Sequence, residues 1–331
     1  MVTMKDVAKK AGVSQTTVSR VISGNTSVNP EIKARVMECI RKLDYHPNII
    51  AQGLVGNKTL LIGVIITDIS NPFFSDIIKA IEKETANYGY SIILCNTDGD
   101  IEKEKKYINI LKSYKVDGIL IVPCDSKNKS FISLKNSEVP IVVITQDVQD
   151  FSCVSISHYA GGKKVAKHLI DMGYSKFVFV GYESDEKERG FKEEIENSGF
   201  DLNQKYVFIN KTNNKSMSEE LKDFIVKNLN HEGIGIFTHN DIEALMVLHI
   251  LKELKVKIPD KVALVGFDNT YISKEVSPSI SSVAQYIEEI GSRAVEILMN
   301  KIDSGDEIKE KHVILEPRLV ARESSLKLIE Y

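Results

Sequence analysis

No apolar run in this 331-residue chain reaches the roughly 18 residues needed to span a bilayer, so no membrane helix is expected. The first residues, Met1-Val2-Thr3-Met4-Lys5-Asp6, lack the long apolar stretch of a secretory signal. Cysteines are few. Cys39, Cys95, Cys124 and Cys153 are scattered without a C-x-x-C pair, so neither a disulfide framework nor a structural zinc site is expected, and a reducing cytoplasm fits. Enzyme signatures are missing as well. No G-x-G-x-x-G follows a strand-like run, the histidines form no H-E-x-x-H and show no metal-ligand spacing, and there is no G-x-S-x-G elbow. The sequence therefore assigns no catalytic residue, no cofactor and no metal, and argues against a dehydrogenase or another cleft enzyme.

What is present is an ordinary globular balance, 43% hydrophobic and 27% charged, enough for a sizeable core. At roughly 100–200 residues per domain the length suggests two or three domains. The charge is uneven. Residues 1–60 hold nine Lys and Arg against four Asp and Glu, whereas the rest holds 34 against 42. A small basic head on a larger acidic body suggests an anionic partner for the head.

Local signals give the head a shape. Thr3 to Asp6 reads as a variant capping box opening a short helix with Val7, Ala8 and Ala11 on one face. Gly12 sits where a left-handed residue would end it, and Ser14 can cap a second helix two residues later. Two short helices joined by a Gly-containing turn form a helix-turn-helix pattern. At about 100° per residue from Gln15, Thr16 lies near 100°, Ser19 near 40°, Arg20 near 140° and Ser23 near 80°. Val18, Val21 and Ile22 fall between roughly 240° and 340°. One face packs while the other carries side chains of the kind that read base edges: Arg20 suits guanine and Gln15 suits adenine. Asn29-Pro30-Glu31 then starts a third helix, running to about Leu43 with Ile32, Val36, Cys39, Ile40 and Leu43 inward.

Residues 3–48 resemble the headpiece of the LacI family of bacterial transcriptional regulators. The pattern D-V-A-x-x-A-x-V-S-x-x-T-V-S-R-V is met at Asp6, Val7, Ala8, Ala11, Val13, Ser14, Thr17, Val18, Ser19, Arg20 and Val21, and the closing Y-x-P-N at Tyr45, Pro47 and Asn48. The resemblance implies base contacts from Gln15, Thr16 and Arg20, and phosphate contacts from Thr3, Ser14, Thr17, Ser19 and Tyr45. It also implies that residues 48–59 fold on DNA into a hinge helix whose Leu54 wedges into the minor groove and bends the duplex. Here Gln52 stands where the family usually has Arg, and Gly53 follows it; Gly lowers helix propensity by about 1 kcal/mol relative to Ala, so this hinge is expected to order less readily.

From residue 60 the chain alternates strand and helix. Strand-like runs cover 60–67, 91–96, 118–122, 140–145, 177–181, 206–210, 233–238 and 262–267. Amphipathic helices separate them, one over 73–88 with Phe74, Ile77, Ile78, Ile81 and Thr85 on a single face. Continuous apolar strands alternating with helices predict an α/β fold of two doubly wound parallel-sheet subdomains, with a ligand cleft at the carboxyl ends of the strands. The family resemblance extends over this body through Asp68 to Phe74, Gly161-Gly162, Asn240-Asp241, Val265 to Asn269 and Glu316 to Ser324. It implies a core like that of periplasmic sugar-binding proteins, crossed by the chain near Ala160, Ile290 and Glu316. The resulting division is a headpiece (1–47), a hinge (48–59) and an effector-binding and dimerisation core (60–331). Within the core, 60–159 and 290–316 form one subdomain and 160–289 and 317–331 the other.

The resemblance places Phe73, Phe74, Lys187, Asn240 and Asp268 at effector-binding positions, with plain core packing the alternative for the two rings. Elsewhere cleft acids are replaced by neutral or basic groups (His158, His239, Lys187), which weakly favours an anionic effector, with exposure to solvent the alternative. The whole reads as a cytoplasmic, nucleoid-associated repressor of a carbohydrate-utilisation operon. It binds a pseudo-palindromic double-stranded operator as a homodimer, with contacts from the helix over 73–88, and answers to a sugar, sugar acid or sugar phosphate. The tail 325–331 is too short for a tetramerising heptad helix. Two alternatives stand beside it. One is a catabolite-control regulator with a phosphocarrier co-effector, a subgroup that typically has Met where this chain has Thr17. The other is a sugar-binding protein that does not bind DNA.

Overall fold

The computed structural model describes residues 2–22, 28–45, 58–182, 185–202, 206–209, 217–229, 233–304 and 311–327. Leu54, Gln52, Gly53 and Ser23 lie outside the described residues.

The head contains α1 (Met4–Ala11), α2 (Gln15–Ile22) and α3 (Pro30–Leu43). The capping box at the start of α1 is complete: Asp6 N–H donates to the Thr3 hydroxyl, and Thr3 N–H donates to the Asp6 carboxylate. Gly12 ends α1 at φ 65°, ψ 38°, a conformation glycine adopts without steric cost. Thr17 N–H donates to Ser14 Oγ at 3.1 Å, capping α2. Val7, Ala8, Ala11, Val18, Val21, Val36, Cys39 and Tyr45 close a small apolar core.

The body holds two six-stranded sheets. The first is parallel throughout, in the order β11-β5-β4-β3-β1-β2, built from β1 (Leu61–Ile66), β2 (Ser91–Asn96), β3 (Gly118–Ile121), β4 (Ile141–Ile144), β5 (Ser152–Ile156) and β11 (His312–Leu315). The second, in the order β12-β10-β9-β8-β6-β7, uses β6 (Lys176–Gly181), β7 (Val207–Ile209), β8 (Ile234–Thr238), β9 (Val262–Asp268), β10 (Ser281–Ala284) and β12 (Arg318–Val320), of which only β12 is antiparallel to its neighbour. Layered on them are α4 (Pro72–Asn87), α5 (Ile101–Ser113), the short α6 (Lys129–Ile132), α7 (His158–Asp171), α8 (Glu186–Asn197), α9 (Met217–Asn228), α10 (Asp241–Glu253), α11 (Tyr271–Glu275) and α12 (Ile287–Ser304). The chain passes between sheets after β5, after β10 and after β11. The second passage lies at Gln285–Tyr286, ahead of Ile290, because α12 already packs on α4 and on β3 to β5.

Four strands, β5, β10, β11 and β12, have no counterpart among the strand-like runs of the sequence. Two of them are rich in serine rather than in apolar residues. Ser152, Ser155, Ser281 and Ser282 are buried, and distant partners meet the hydroxyls of three of them: Lys311 N–H donates to Ser152 Oγ at 3.1 Å, Ser281 Oγ lies 2.6 Å from Ser325 Oγ, and Ser282 Oγ donates to Asp241 at 2.6 Å. Such strands carry no hydrophobic run to read.

Where the chain enters the first sheet, Asp117 holds it. Thr59 N–H and Leu60 N–H donate to the two carboxylate oxygens at 2.9 and 2.8 Å. In the second lobe, α7 and α8 approach backbone to backbone. A Cβ on Gly162 would lie 2.1 Å from the Lys187 carbonyl oxygen, and one on Gly190 would lie 2.0 Å from that of Tyr159. Neither obstacle is a flexible side chain, so the helices must part to admit a methyl group. Gly190→Ala and Gly162→Ala are each expected to destabilise the protein by about 1–3 kcal/mol, read from urea denaturation followed by circular dichroism.

Candidate DNA-reading face and interlobe cleft

On α2 the predicted division holds residue by residue. Val18 and Val21 are buried, whereas Gln15, Thr16 and Arg20 are exposed and Ser19 is half-buried on the opposite side. Ser14 and Thr17 share a hydroxyl–hydroxyl bond of 2.9 Å at the start of the helix. Two of the expected phosphate contacts also have structural duties. The Thr3 hydroxyl donates to the Asp6 carboxylate at 2.6 Å while accepting from Asp6 N–H, within the capping box. Tyr45 is buried in the core of the head, which explains its presence there by packing alone. Leu54, the expected minor-groove wedge, falls outside the described residues.

The second cluster forms where the strands of both lobes end. Asp68 and Asn71 follow β1, His158 follows β5, Asp185 follows β6, His239 and Asn240 follow β8, Asp268 ends β9 and Gln285 follows β10. Parallel strands deliver their carboxyl ends, and the loops after them, to one edge. Asn71, from the first lobe, comes near enough to Asp268 of the second to oppose the rise of its carboxyl.

Lys187 lies at the centre of this cluster. It is only 4% exposed; its ammonium donates to the His239 carbonyl oxygen at 2.8 Å and stands 4.2 Å from the centre of the Phe267 ring. Asp185, which caps α8, pairs with His239 Nδ1. Burial alone would raise the Asp185 carboxyl, but His239 and Lys187 outweigh it and hold the group well below the usual carboxylate range. Burial, aided by the Lys187 charge, pushes the His158 imidazole down to about 3, so it is neutral near pH 7. Burial lifts three acids. Asp241, also repelled by Asp268, rises to about 7, Asp268 to about 6 and Glu243 to about 6, the last two against the pull of Lys187 and His239. Asp268 accepts from Gln285 Nε2 at 2.5 Å and adopts φ 102°. The backbone beyond it is braced by Thr270 donating to Asp241 and by Arg322 donating to Asn269. A residue other than glycine held at positive φ marks stored strain.

His158 Nε2, Gln285 Oε1 and both oxygens of Glu243 are buried without a close hydrogen-bond partner, with Gln285 the nearest polar neighbour that acts on His158 and Tyr182 the one that acts on Glu243. Unpaired buried polar atoms are costly in a finished protein and suit a site that a polar ligand completes.

Among the expected effector residues, Asp268 and Lys187 belong to this cluster. Lys187 and His158 are enclosed instead of facing solvent: Lys187 by its carbonyl partner and the Phe267 ring, and His158 Nε2 as a buried atom. Phe73 is 4% exposed on the inward side of α4 with Ile77 and Ile81, and its ring packs in the core, the alternative the sequence left open. Phe74, half-buried and edge-on to Phe73 at 5.2 Å, is the ring left for a ligand. Asn240 caps α10, its side-chain oxygen accepting from Glu243 N–H at 2.9 Å, which commits that oxygen to the helix. The sequence reading missed Asp185, Asp241, Glu243 and Gln285. Asp185 carries a local signal as a helix N-cap and Asp241 lies in the Asn240-Asp241 motif; Gln285 follows a strand that was not predicted.

Comparison with known proteins agrees with this architecture. Residues 3–48 match a family described as bacterial regulatory proteins, lacI family, and residues 166–325 match a periplasmic binding protein-like domain. The chain is 32% identical to the HTH-type transcriptional regulator DegA of Bacillus subtilis over 98% of each protein. It is 33% identical to catabolite control protein A of Staphylococcus xylosus over 97% of this chain and 98% of that one. Among solved structures, a periplasmic binding protein/LacI transcriptional regulator from Alkaliphilus metalliredigens complexed with D-xylulofuranose superposes with a TM-score of 0.72 at 30% identity, covering 81% of this chain and 99% of the other.

The raised Asp268 carboxyl makes a signed prediction. Its folded-state value of about 6 lies above the ordinary 3.8, so its contribution to stability is full below about pH 4 and is lost as pH rises through about 6. The melting temperature of Asp268→Asn minus that of the native chain is therefore expected to grow from pH 4.5 to 6.5 and to stay level above pH 7. Calorimetry across that range measures it, and a difference independent of pH would contradict the assignment.

Proposed function

The chain belongs to the LacI family of bacterial regulatory proteins, and from that premise we propose that it represses a carbohydrate-utilisation operon as a cytoplasmic homodimer released or engaged by a neutral sugar. The transcriptional-regulator part of this statement is the family's; the operon class, the sign, the dimer and the ligand are our reading. So is the division into a headpiece over 1–47, a hinge over 48–59 and a core over 60–331.

The observation that carries the DNA reading is the polar row of Gln15, Thr16, Ser19 and Arg20 on α2, backed by buried Val18 and Val21. A duplex major groove accepts a helix of this kind, and Arg and Gln there make bidentate contacts to guanine and adenine. No helix among the described residues is long and apolar enough to cross a membrane. The outer face of α4 would supply the dimer contact, giving two heads for two half-sites.

For the effector, the balance of buried charge favours a neutral polyol over an anion. Asp185, Glu243 and Asp268 outnumber Lys187, whose ammonium is already bonded to a carbonyl. A sugar acid or phosphate would bring further negative charge to these carboxyls. Hydroxyl groups, which donate and accept, match an orphaned imidazole nitrogen, an amide oxygen and a carboxyl. The D-xylulofuranose complex of the Alkaliphilus relative supports a monosaccharide of this kind. Closure of the lobes on it would act through Asp117 and Thr59 at the entrance to the core, shifting the hinge and the spacing of the heads; sugar and operator affinities are then linked reciprocally.

Selection of tight sites from a random duplex pool tests the reading. The expected product is a pseudo-palindrome bound with steep salt dependence, its affinity changed by ketoses or aldoses and not by sugar acids. Arg20→Ala is expected to weaken the selected site by about 1–3 kcal/mol, roughly ten- to a hundred-fold, while leaving binding to random duplex within a few-fold, by fluorescence anisotropy. No enrichment with or without sugars, or with a phosphocarrier protein added, would sink the regulator reading.

A further inference from the structure

A second polar cluster lies away from the interlobe cleft, on the β11 edge of the first sheet. β11 pairs with β5 so that His312 stands opposite Cys153, and both side chains share one face of the sheet. The loop between β4 and β5 brings Asp147 to the same point. Cys153 Sγ lies 3.2 Å from His312 Nδ1 and 3.3 Å from Asp147 Oδ1, and His312 Nδ1 lies 2.7 Å from that same oxygen. Among the described residues these three are the group of His, Cys and acidic side chains whose ligand atoms converge closely enough to hold one ion.

The arrangement is not that of a nucleophile with its base. In a Cys–His–acid triad the thiol meets one ring nitrogen and the acid orients the other. Here both meet Nδ1, so thiol, imidazole and carboxylate aim at a common point. We propose that this point is a zinc(II) site, with Cys153 Sγ, His312 Nδ1 and an Asp147 oxygen as ligands and water as the fourth. Sulfur, imidazole nitrogen and carboxylate oxygen form a mixed donor set typical of zinc, whereas magnesium and calcium select oxygen alone.

The geometry requires little movement. With metal bonds of about 2.3 Å to sulfur and about 2.0–2.2 Å to nitrogen and oxygen, tetrahedral ligand atoms stand roughly 3.4–3.6 Å apart. The two contacts to sulfur have to lengthen by about 0.3 Å and the His312–Asp147 contact by about 0.7 Å. Cys153 is fully buried and fixed in its strand, but the side chains of His312 and Asp147 are 36% and 59% exposed and free to open outward, which also leaves room for a water ligand. On binding, the zinc–sulfur bond replaces the S–H bond and that proton goes to solvent; the imidazole binds through Nδ1 as the Nε2–H tautomer. The ion would clip the outermost strand of the sheet to its neighbour, next to backbone bonds that already join them: Cys153 N–H to the Lys311 carbonyl at 2.9 Å, and Lys311 N–H to Ser152 Oγ at 3.1 Å.

Cobalt(II) is the probe, because it takes zinc-like tetrahedral geometry and reports thiolate ligation by charge-transfer absorption in the near ultraviolet. Titrated into metal-free full-length protein, it is expected to bind at one equivalent per chain with that absorption and to be displaced by zinc. Cys153→Ser is expected to abolish the band. His312→Ala and Asp147→Asn are each expected to weaken cobalt affinity at least tenfold. Absence of the band in the native chain, or its survival in Cys153→Ser, which would put the metal on another cysteine, overturns the site. Should Cys153→Ser fail to fold, the exposed position of His312 keeps the test open: a native-like spectrum and affinity in His312→Ala overturn it equally.

Discussion

The interlobe cluster depends on two missing side chains. Gly161 leaves room for the Phe267 ring, which would lie 2.7 Å from a Cβ at that position, and Gly162 leaves room for the Lys187 carbonyl. With both gaps filled by backbone and ring, α7 and α8 lie close enough for the Lys187 ammonium to stand over Phe267 and reach the His239 carbonyl. That one buried positive charge then shapes its surroundings. It adds to the burial that keeps His158 neutral, helps hold Asp185 ionised and opposes the rise of Glu243 and Asp268. Packing at two glycines and titration at four side chains are thus one arrangement at two scales.

The carboxyl ends of parallel strands explain why so many polar groups gather there. Within a sheet the backbone satisfies itself; past its end, the next helix needs a cap and the loop needs partners. Asp185, Asn240 and Asn71 serve as caps, and Asp241 binds the backbone and side chain of Thr270. The orphaned atoms of His158, Gln285 and Glu243 are what remains after these local demands are met. A ligand that supplies donors and acceptors to them would bridge the two lobes near Asn71 and Asp268.

The head follows a different logic. Its small core is held by apolar residues at helical spacing and by caps that close within three residues, so it owes little to the rest of the chain. The outward side of α2 takes no part in that core, and it exposes Gln15, Thr16 and Arg20. Thr3 and Tyr45 serve the first cap and the small core as well.

How much was legible follows from the range of each signal. The capping box, the Gly12 stop, the two faces of α2, the start of α3 at Pro30 and the strand–helix alternation are all written in residues a few positions apart, and a sequence displays such periods directly. The family pattern added Lys187 and Asp268 to the cleft but also Phe73, because a motif records a position and not which way its ring turns. Strands β5 and β10 were hidden since Ser152, Ser281 and Ser282 find partners tens of residues away. Asp185 and His239 are 54 positions apart, and Cys153 and His312 are 159. No local period links such pairs. Their meeting is decided by the order in which parallel strands enter the sheets, and that order is set only when the whole core packs.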